Sequence, residues 1–459
     1  MSLTSGPILP TLLRLALPNV LAMTMSVAVG IAETRYVGLL GTAPLAAMAL
    51  VFPFAMLVQM MSAGAMGGGV SSAVSRALGA KDPERARTLA VHAVVIGTVA
   101  GLVTTVVFLA LGPMLYRVLG GWGEVLDEAV RYAGVLFFGA VLIWLLNTLA
   151  SVLRGTGDMR VPSLTLLVSS VLQILIGGAL GLGIGPIPRY GMPGVAFGQI
   201  IATAAGVAFL VWWLGSGRAR LTLRLRGVAL RGDLFADILK VGALACLSPV
   251  QSVLTVLIFT GLVARLGVEA LAGYGIGQRL EFLLIPVAFG IGVASVPMVG
   301  MAIGAGDVAR ARRVAWTAAS VSALMLGALG AIVSVAPDAW ATLFTADEAV
   351  LVHARSYLRW AGPAFAAFGF GLTLYFASQG SGKVLGPVLA STVRLVLVAV
   401  AGAWLATHDA EAWQYFALVA GGMLIYGVAT GLSVRLTRWG ARQASPTSAR
   451  GEPAAPLAR

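Results

Sequence analysis

The sequence predicts an all-α integral membrane protein of twelve transmembrane helices, arranged as two pseudo-symmetric six-helix lobes. Three observations carry this prediction. The 459 residues are 59% hydrophobic and only 11% charged, with a mean hydropathy of +0.93. Long apolar stretches recur along the whole chain, and the second half repeats motifs of the first at an offset of 225 or 226 residues. Soluble domains carry about 25% charged residues and need a polar skin that this composition does not supply. A soluble enzyme, a nucleic-acid-binding module and a disordered chain are therefore excluded. Glycine, at 58 of 459 residues, is well above the usual ~7%, as expected where helices pack closely in lipid.

The apolar segments run over about 11–38, 44–74, 88–115, 130–153, 161–184, 193–214, 234–263, 270–301, 314–336, 352–378, 384–406 and 412–436. A spanning helix needs about 20 apolar residues, while barrel strands are shorter and alternate. Several segments exceed the spanning length, which implies tilt or kinks. Pro18, Pro53, Pro286 and Pro363 fall inside segments and remove backbone donors there.

Orientation follows from the loops. Arg76, Lys81, Arg85 and Arg87 lie on one side with Arg218, Arg220, Arg224, Arg226, Arg231, Lys240, Arg310, Arg312, Arg313, Arg435, Arg438 and Arg442. The other side carries Glu124, Asp127, Glu128, Asp347, Glu348, Asp409 and Glu411. The positive-inside rule then puts both termini in the cytoplasm. The net charge of +13 reads as this topology signal rather than as a nucleic-acid footprint, because the cations form no continuous patch. Met1 to Pro10 shows no basic region and no cleavage motif, so no cleavable signal peptide is expected. The single cysteine, Cys246, excludes an intramolecular disulfide and a cysteine metal cluster.

The repeat is legible in three places. Leu40-Gly41 with Leu45-Ala46 recurs as Leu266-Gly267 with Leu271-Ala272. Leu78-Gly79-Ala80-Lys81-Asp82 with Arg85 and Arg87 recurs as Ile303-Gly304-Ala305-Gly306-Asp307 with Arg310 and Arg312. Gly155-Thr156-Gly157 with Pro162 recurs as Gly380-Ser381-Gly382 with Pro387. Residues 11–214 then form an N-terminal lobe, 215–233 a basic cytoplasmic linker, 234–438 a C-terminal lobe and 439–459 a cytoplasmic tail. Six helices per half give a parallel repeat, and transporters commonly place the substrate cavity at such an interface. Retention of a duplication for packing alone is the plainer alternative.

These motifs, in this order and duplicated, resemble the multidrug and toxic compound extrusion (MATE) family over residues 11 to 438. Arg154-Gly155-Thr156-Gly157-Asp158 is a further point of resemblance. The resemblance implies a two-lobed antiporter that expels organic, often cationic, compounds against inward H⁺ or Na⁺. It implies a plasma-membrane location, in bacteria the inner membrane.

Only two acids lie deep in apolar segments, Glu33 and Glu281. Intramembrane ionisable groups are functional candidates by default. Glu33 matches the position where the family's first helix has an acid, and the resemblance ties that acid to proton coupling. A carboxyl taken out of water disfavours its charged form, so it can load and release a proton near neutral pH. An ion pair with Arg35 or a snorkelling position is the alternative. Glu281 and Arg394 are read as a buried charge pair, with cation binding by Glu281 as the second reading. Gln59, Asn147, Gln173, Gln251 and Gln278 are candidates to line a substrate cavity, though each could equally make a helix–helix hydrogen bond. The family's proton-coupled members often carry Asn-x-x-x-Asp on the fifth helix, where Ser169 and Gln173 stand here. The acids of sodium-coupled members on helices 7 and 10 are not matched at Gln251, Ser252 or Phe368.

The expectation is a proton-coupled exporter with no cofactor, no metal, no catalytic residue and no nucleic-acid partner. Na⁺ is the less favoured coupling ion. Small organic cations would be the cargo, membrane lipid the surroundings and a monomer the working unit. A lipid-linked oligosaccharide flippase of the same superfamily and a Na⁺-coupled exporter are the alternatives. A membrane enzyme would need clustered catalytic groups, and none are visible.

Overall fold

A computed structural model describes residues 3–223, 227–408 and 410–440. Arg224, Arg226, Asp409, Arg442 and the tail from residue 441 onward lie outside the described residues. All regular structure among the described residues is helical. The spans are α1 (Ile8–Gly38), α2 (Thr42–Gly79), α3 (Pro83–Val118), α4 (Gly123–Phe138 with Ala140–Gly155), α5 (Arg160–Leu182) and α6 (Gly191–Gly215). The second lobe has α7 (Gly232–Ala264), α8 (Val268–Gly304), α9 (Val308–Val335), α10 (Glu348–Ser381), α11 (Leu385–Ala406) and α12 (Ala412–Leu436). The two pieces of α4 meet at 44° around Gly139, so they count as one bent span.

Large apolar side chains cover the outside. Leu389, Val393, Val396, Val400 and Trp404 are all exposed on α11, each three or four residues after the last. That periodicity makes one continuous stripe of a helix. An apolar surface of this extent is stable only against lipid.

Each repeated motif has a structural cause. Gly41 and Gly267 adopt φ of 138° and 113° just before α2 and α8, a conformation that favours glycine. Asp82 and Asp307 cap α3 and α9, accepting from the backbone N–H of Arg85 at 2.9 Å and of Arg310 at 2.8 Å. Such caps satisfy N–H groups that the helix itself leaves free. Gly157 and Gly382 are left-handed, at φ 87° and 78°.

The long helices α2 and α8 are interrupted at matching points by different means. Met60–Met66 of α2 is a π-helical stretch, and Pro286, which the 226-residue offset maps onto residue 60, lies within α8. Both devices free backbone groups, which a membrane protein tolerates where the helix faces protein or a cavity.

The core centred on the first lobe runs on to Ile238, Val241 and Phe376 of the second, which also has a core of its own. Leu89, Leu136, Leu149, Leu153 and Val195 belong to the first, and Phe259, Leu280, Leu358 and Phe416 to the second. A third cluster joins Leu12 and Ala16 of α1 to Ile291, Met298 and Leu374 of α8 and α10. The start of α1 therefore packs on the opposite lobe.

The lobes meet at the end that carries the basic loops. A Cβ on Gly79 would lie 2.2 Å from the Met301 carbonyl oxygen, and one on Gly304 would lie 2.1 Å from the Arg76 carbonyl oxygen. These two glycines are repeat mates, so α2 and α8 cross by each lodging a glycine against the other's backbone. Gly69 and Gly242 make a similar approach between α2 and α7. Arg76 and Arg85 both bind Asp237 of α7, at 2.7 and 3.1 Å. Arg310, buried, donates to the carbonyl oxygens of Leu3 and Gly6. Among the described residues, the polar links between the lobes farther from the basic end reduce to a long Cys246 Sγ to Met61 O contact of 3.9 Å. The conformer is therefore closed at the basic end.

Candidate coupling and cavity sites

Glu33 lies near the far end of α1, five residues before Gly38, and is only 7% exposed. Gln173 of α5 reaches across and donates through Nε2 to Glu33 Oε1 at 2.7 Å. Tyr36, one turn along α1, faces the same carboxyl, its buried hydroxyl short of a hydrogen bond among the described residues, and Tyr132 of α4 stands close enough to interact with it. The i, i+3 spacing puts Glu33 and Tyr36 on one helix face. Gly177 and Gly178 of α5 leave the room that the Tyr36 ring fills. One carboxyl, one amide and two phenols thus converge from three helices. Arg35 points outward and is exposed, and it forms no ion pair with Glu33 among the described residues.

Gln173, expected from the sequence as a cavity residue, thus holds the Glu33 carboxyl through its amide. Sequence reasoning missed Tyr36 and Tyr132. The three-residue spacing from Glu33 was the available signal for Tyr36.

Two other candidates meet each other. Asn147 of α4 donates through Nδ2 to Gln59 Oε1 at 3.2 Å and to Ser62 Oγ at 2.9 Å. Ser62 lies in the π-helical stretch, so this contact braces α4 against the interruption in α2. Gln59 remains exposed. Gln251 donates to Thr392 Oγ1 at 2.8 Å, and Gln278 donates to the Tyr274 hydroxyl at 3.0 Å. For these two amides the helix–helix or within-helix bond is what the fold realises.

The Glu281–Arg394 pair is not realised as a direct ion pair, though each charge lies within electrostatic reach of the other. No ion pair joins them within 4.0 Å among the described residues. Instead Glu281 accepts a hydrogen bond from the Tyr357 hydroxyl. The Arg394 guanidinium lies over two rings, 5.8 Å from Phe368 and 5.6 Å from Tyr426. A cation over aromatic faces gains electrostatic attraction without a carboxylate. Sequence spacing could place both charges in one lobe, but it could not show which aromatic groups stand around them. Tyr357 is the repeat mate of Tyr132 at an offset of 225. Each lobe thus sets its deep acid beside the same tyrosine of the repeat, though the acids themselves occupy non-equivalent helices. That offset is a signal open to sequence reasoning.

Among the described residues no three His, Cys, Asp or Glu side chains gather as a metal site. His92 is buried and structural: Nδ1 donates to the Thr88 carbonyl oxygen at 2.8 Å, and Nε2 accepts from the Arg231 N–H at 2.8 Å.

Two six-helix lobes, closed on each other at one end and carrying buried acids in their spans, define a membrane transporter rather than an enzyme. The MatE family profile matches residues 18–177 and 245–405, one block in each lobe, and the chain belongs to this family of multidrug efflux transporters. It is 26% identical over 373 residues, 80% of each chain, to "Probable multidrug resistance protein YoeA" of Bacillus subtilis. It is 24% identical over 400 residues to an "FAD transporter" of Shewanella oneidensis, covering 86% of this chain and 87% of the other. Its fold superposes with a TM-score of 0.87 on a MOP superfamily transporter from Pyrococcus furiosus, at 25% identity and over 94% and 96% of the two chains.

Proposed function

We propose that this chain is a secondary exporter of small organic cations, driven by inward H⁺ through Glu33 in an alternating-access cycle. The observation that carries the reading is the Glu33 carboxyl, buried and bonded to Gln173, with Tyr36 and Tyr132 beside it. A proton needs only one such carboxyl. A sodium ion needs several oxygen ligands in place of its water, and the acids of sodium-coupled relatives on helices 7 and 10 are not matched at Gln251, Ser252 or Phe368. The basic end faces the cytoplasm on this reading, with residues 11–214 and 234–438 as the moving lobes. The 215–233 linker and the 439–459 tail are then cytoplasmic, in a bacterial inner membrane.

Substrate and proton compete for the state of Glu33, so substrate binding weakens at acid pH as the carboxyl protonates. The test is efflux of a fluorescent cation from proteoliposomes under separately imposed H⁺ and Na⁺ gradients. The expected result is drive by the pH gradient with little response to Na⁺, and loss of that drive in Glu33→Gln at unchanged expression. Na⁺-driven efflux without a pH response would overturn the assignment and turn attention to Glu281. Full activity in Glu33→Gln would remove Glu33 from the mechanism.

A second reading, export of an organic anion, is favoured by Arg394, which is half-buried in the second lobe without an ion pair among the described residues, and by the relative named as an FAD transporter. Running the same assay with FAD inside the vesicles separates the two readings.

A further inference from the structure

We propose that the seam between the lobes at the basic end holds a binding site for a phosphate group, and that its occupant holds this end closed. A cleft of about 250 Å³ opens there, lined by Arg76 from the first lobe and by Asp237, Lys240, Ser381 and Lys383 from the second. It is smaller than the ~300–1,000 Å³ of sites for drug-sized ligands. It suits one compact anion, not the exported cargo.

The charges in the wall are unbalanced. Asp237 is the one acid lining the cleft among the described residues, and it is already engaged twice, by Arg76 and by Arg85 at the rim. Lys240 and Lys383 are exposed, and neither lies within 4.0 Å of a carboxylate among the described residues. Three cations therefore face a single carboxylate whose oxygens are taken. Gly382 has a structural part in this. With φ of 78° and no side chain it ends α10, and a Cβ there would stand 3.1 Å from Arg76 Nη1. The guanidinium of one lobe can thus lie against the last turn of the other, one residue from Lys383.

A phosphate oxygen set accepts from guanidinium and ammonium groups together, with charge-assisted bonds stronger than neutral ones. Bound here it would bridge Arg76 on one lobe to Lys240 and Lys383 on the other. When the lobes part, those cations separate and the site is lost. The anion therefore binds the closed conformer, and any ligand with that preference shifts the equilibrium toward it. The phosphate could belong to an anionic phospholipid headgroup or to a free ion. The negative leaflet that attracts juxtamembrane cations makes the lipid a ready source.

The test uses the full chain in neutral detergent with Cys246→Ala, and spin labels at Glu84→Cys and Arg313→Cys, exposed on opposite lobes at the basic end. Short-chain phosphatidylglycerol, inorganic phosphate and short-chain phosphatidylcholine are titrated, and label distances and thermal stability are read. The proposal expects phosphatidylglycerol or phosphate to narrow the distances toward the closed value and to raise Tm, with phosphatidylcholine inert. A response to phosphatidylglycerol alone assigns a lipid, and a response to both assigns the phosphate group itself. Lys240→Gln/Lys383→Gln should weaken the response at least tenfold, and Lys240→Arg/Lys383→Arg should keep it. No response beyond that to phosphatidylcholine, or an undiminished response in the glutamine variant, overturns the proposal.

Discussion

Gly79→Ala tests the closed end most directly. The added methyl would sit 2.2 Å from the Met301 carbonyl oxygen and 2.8 Å from its carbonyl carbon and Cα. These are backbone atoms of a helix interior, so no side chain can swing away, and α2 must retreat from α8 by more than about 1 Å to restore ordinary contact near 3.5 Å. Overpacking of this kind costs about 1–3 kcal/mol. Replacing glycine by alanine also favours the helix by up to about 1 kcal/mol, but that gain is common to the closed and open conformers and cancels between them. The clash exists only when the lobes are closed. The closed-to-open ratio should therefore fall by about 5- to 150-fold, since 1.4 kcal/mol is a factor of ten. The assay is the distance distribution between the labels at Glu84→Cys and Arg313→Cys. Gly304→Ala, whose methyl would meet the Arg76 carbonyl oxygen at 2.1 Å, should act alike. Gly134→Ala, with open space around it, should leave the distribution unchanged. An unaltered distribution in Gly79→Ala, or an equal shift in Gly134→Ala, would refute the argument that glycine contact seals this end.

Three further outcomes follow from the same geometry. Asp237→Asn removes the partner of Arg76 and Arg85, but the carboxyl is about a quarter exposed, so solvent screening limits the loss to about 1 kcal/mol. Label distances should then shift toward open by about fivefold, and closure as tight as in the parent would count against the latch. Tyr357→Phe deletes the donor to Glu281 and should lower stability by about 1.5–3 kcal/mol, read as a drop in unfolding temperature in detergent; an unchanged transition would mean that water or another group replaces the phenol. Arg154 is 2% exposed, and its Nε and Nη1 have no partner among the described residues. Unmet buried donors cost about 1–3 kcal/mol, so Arg154→Met should raise the unfolding temperature, and a fall would show that the guanidinium has a partner worth keeping.

The spans, their order and the twofold repeat were legible because they rest on local properties. An apolar run long enough to cross a bilayer must be a helix, since lipid offers no partner for backbone N–H and C=O groups. The repeat was legible because its marks are positions where only certain residues fit. Glycines with positive φ before α2 and α8, and aspartates capping α3 and α9, meet backbone demands set within a few residues. Glu33 stood out for a similar reason, as a charge where charge is costly. What surrounds such a group is another matter. Gln173 and Glu33 are 140 residues apart, and only the packing of α1 on α5 brings the amide to the carboxyl. Glu281 and Arg394 are opposite charges within reach of each other, yet tertiary packing gave the acid's hydrogen bond to Tyr357 and set the arginine over Phe368 and Tyr426 in place of a direct ion pair. Which glycines seal the basic end, and that Lys240 and Lys383 face Arg76 across it, likewise follows from how two lobes dock. Attraction between groups far apart in the chain depends on distance and direction, and those are properties of the assembled helices, not of the chain's order.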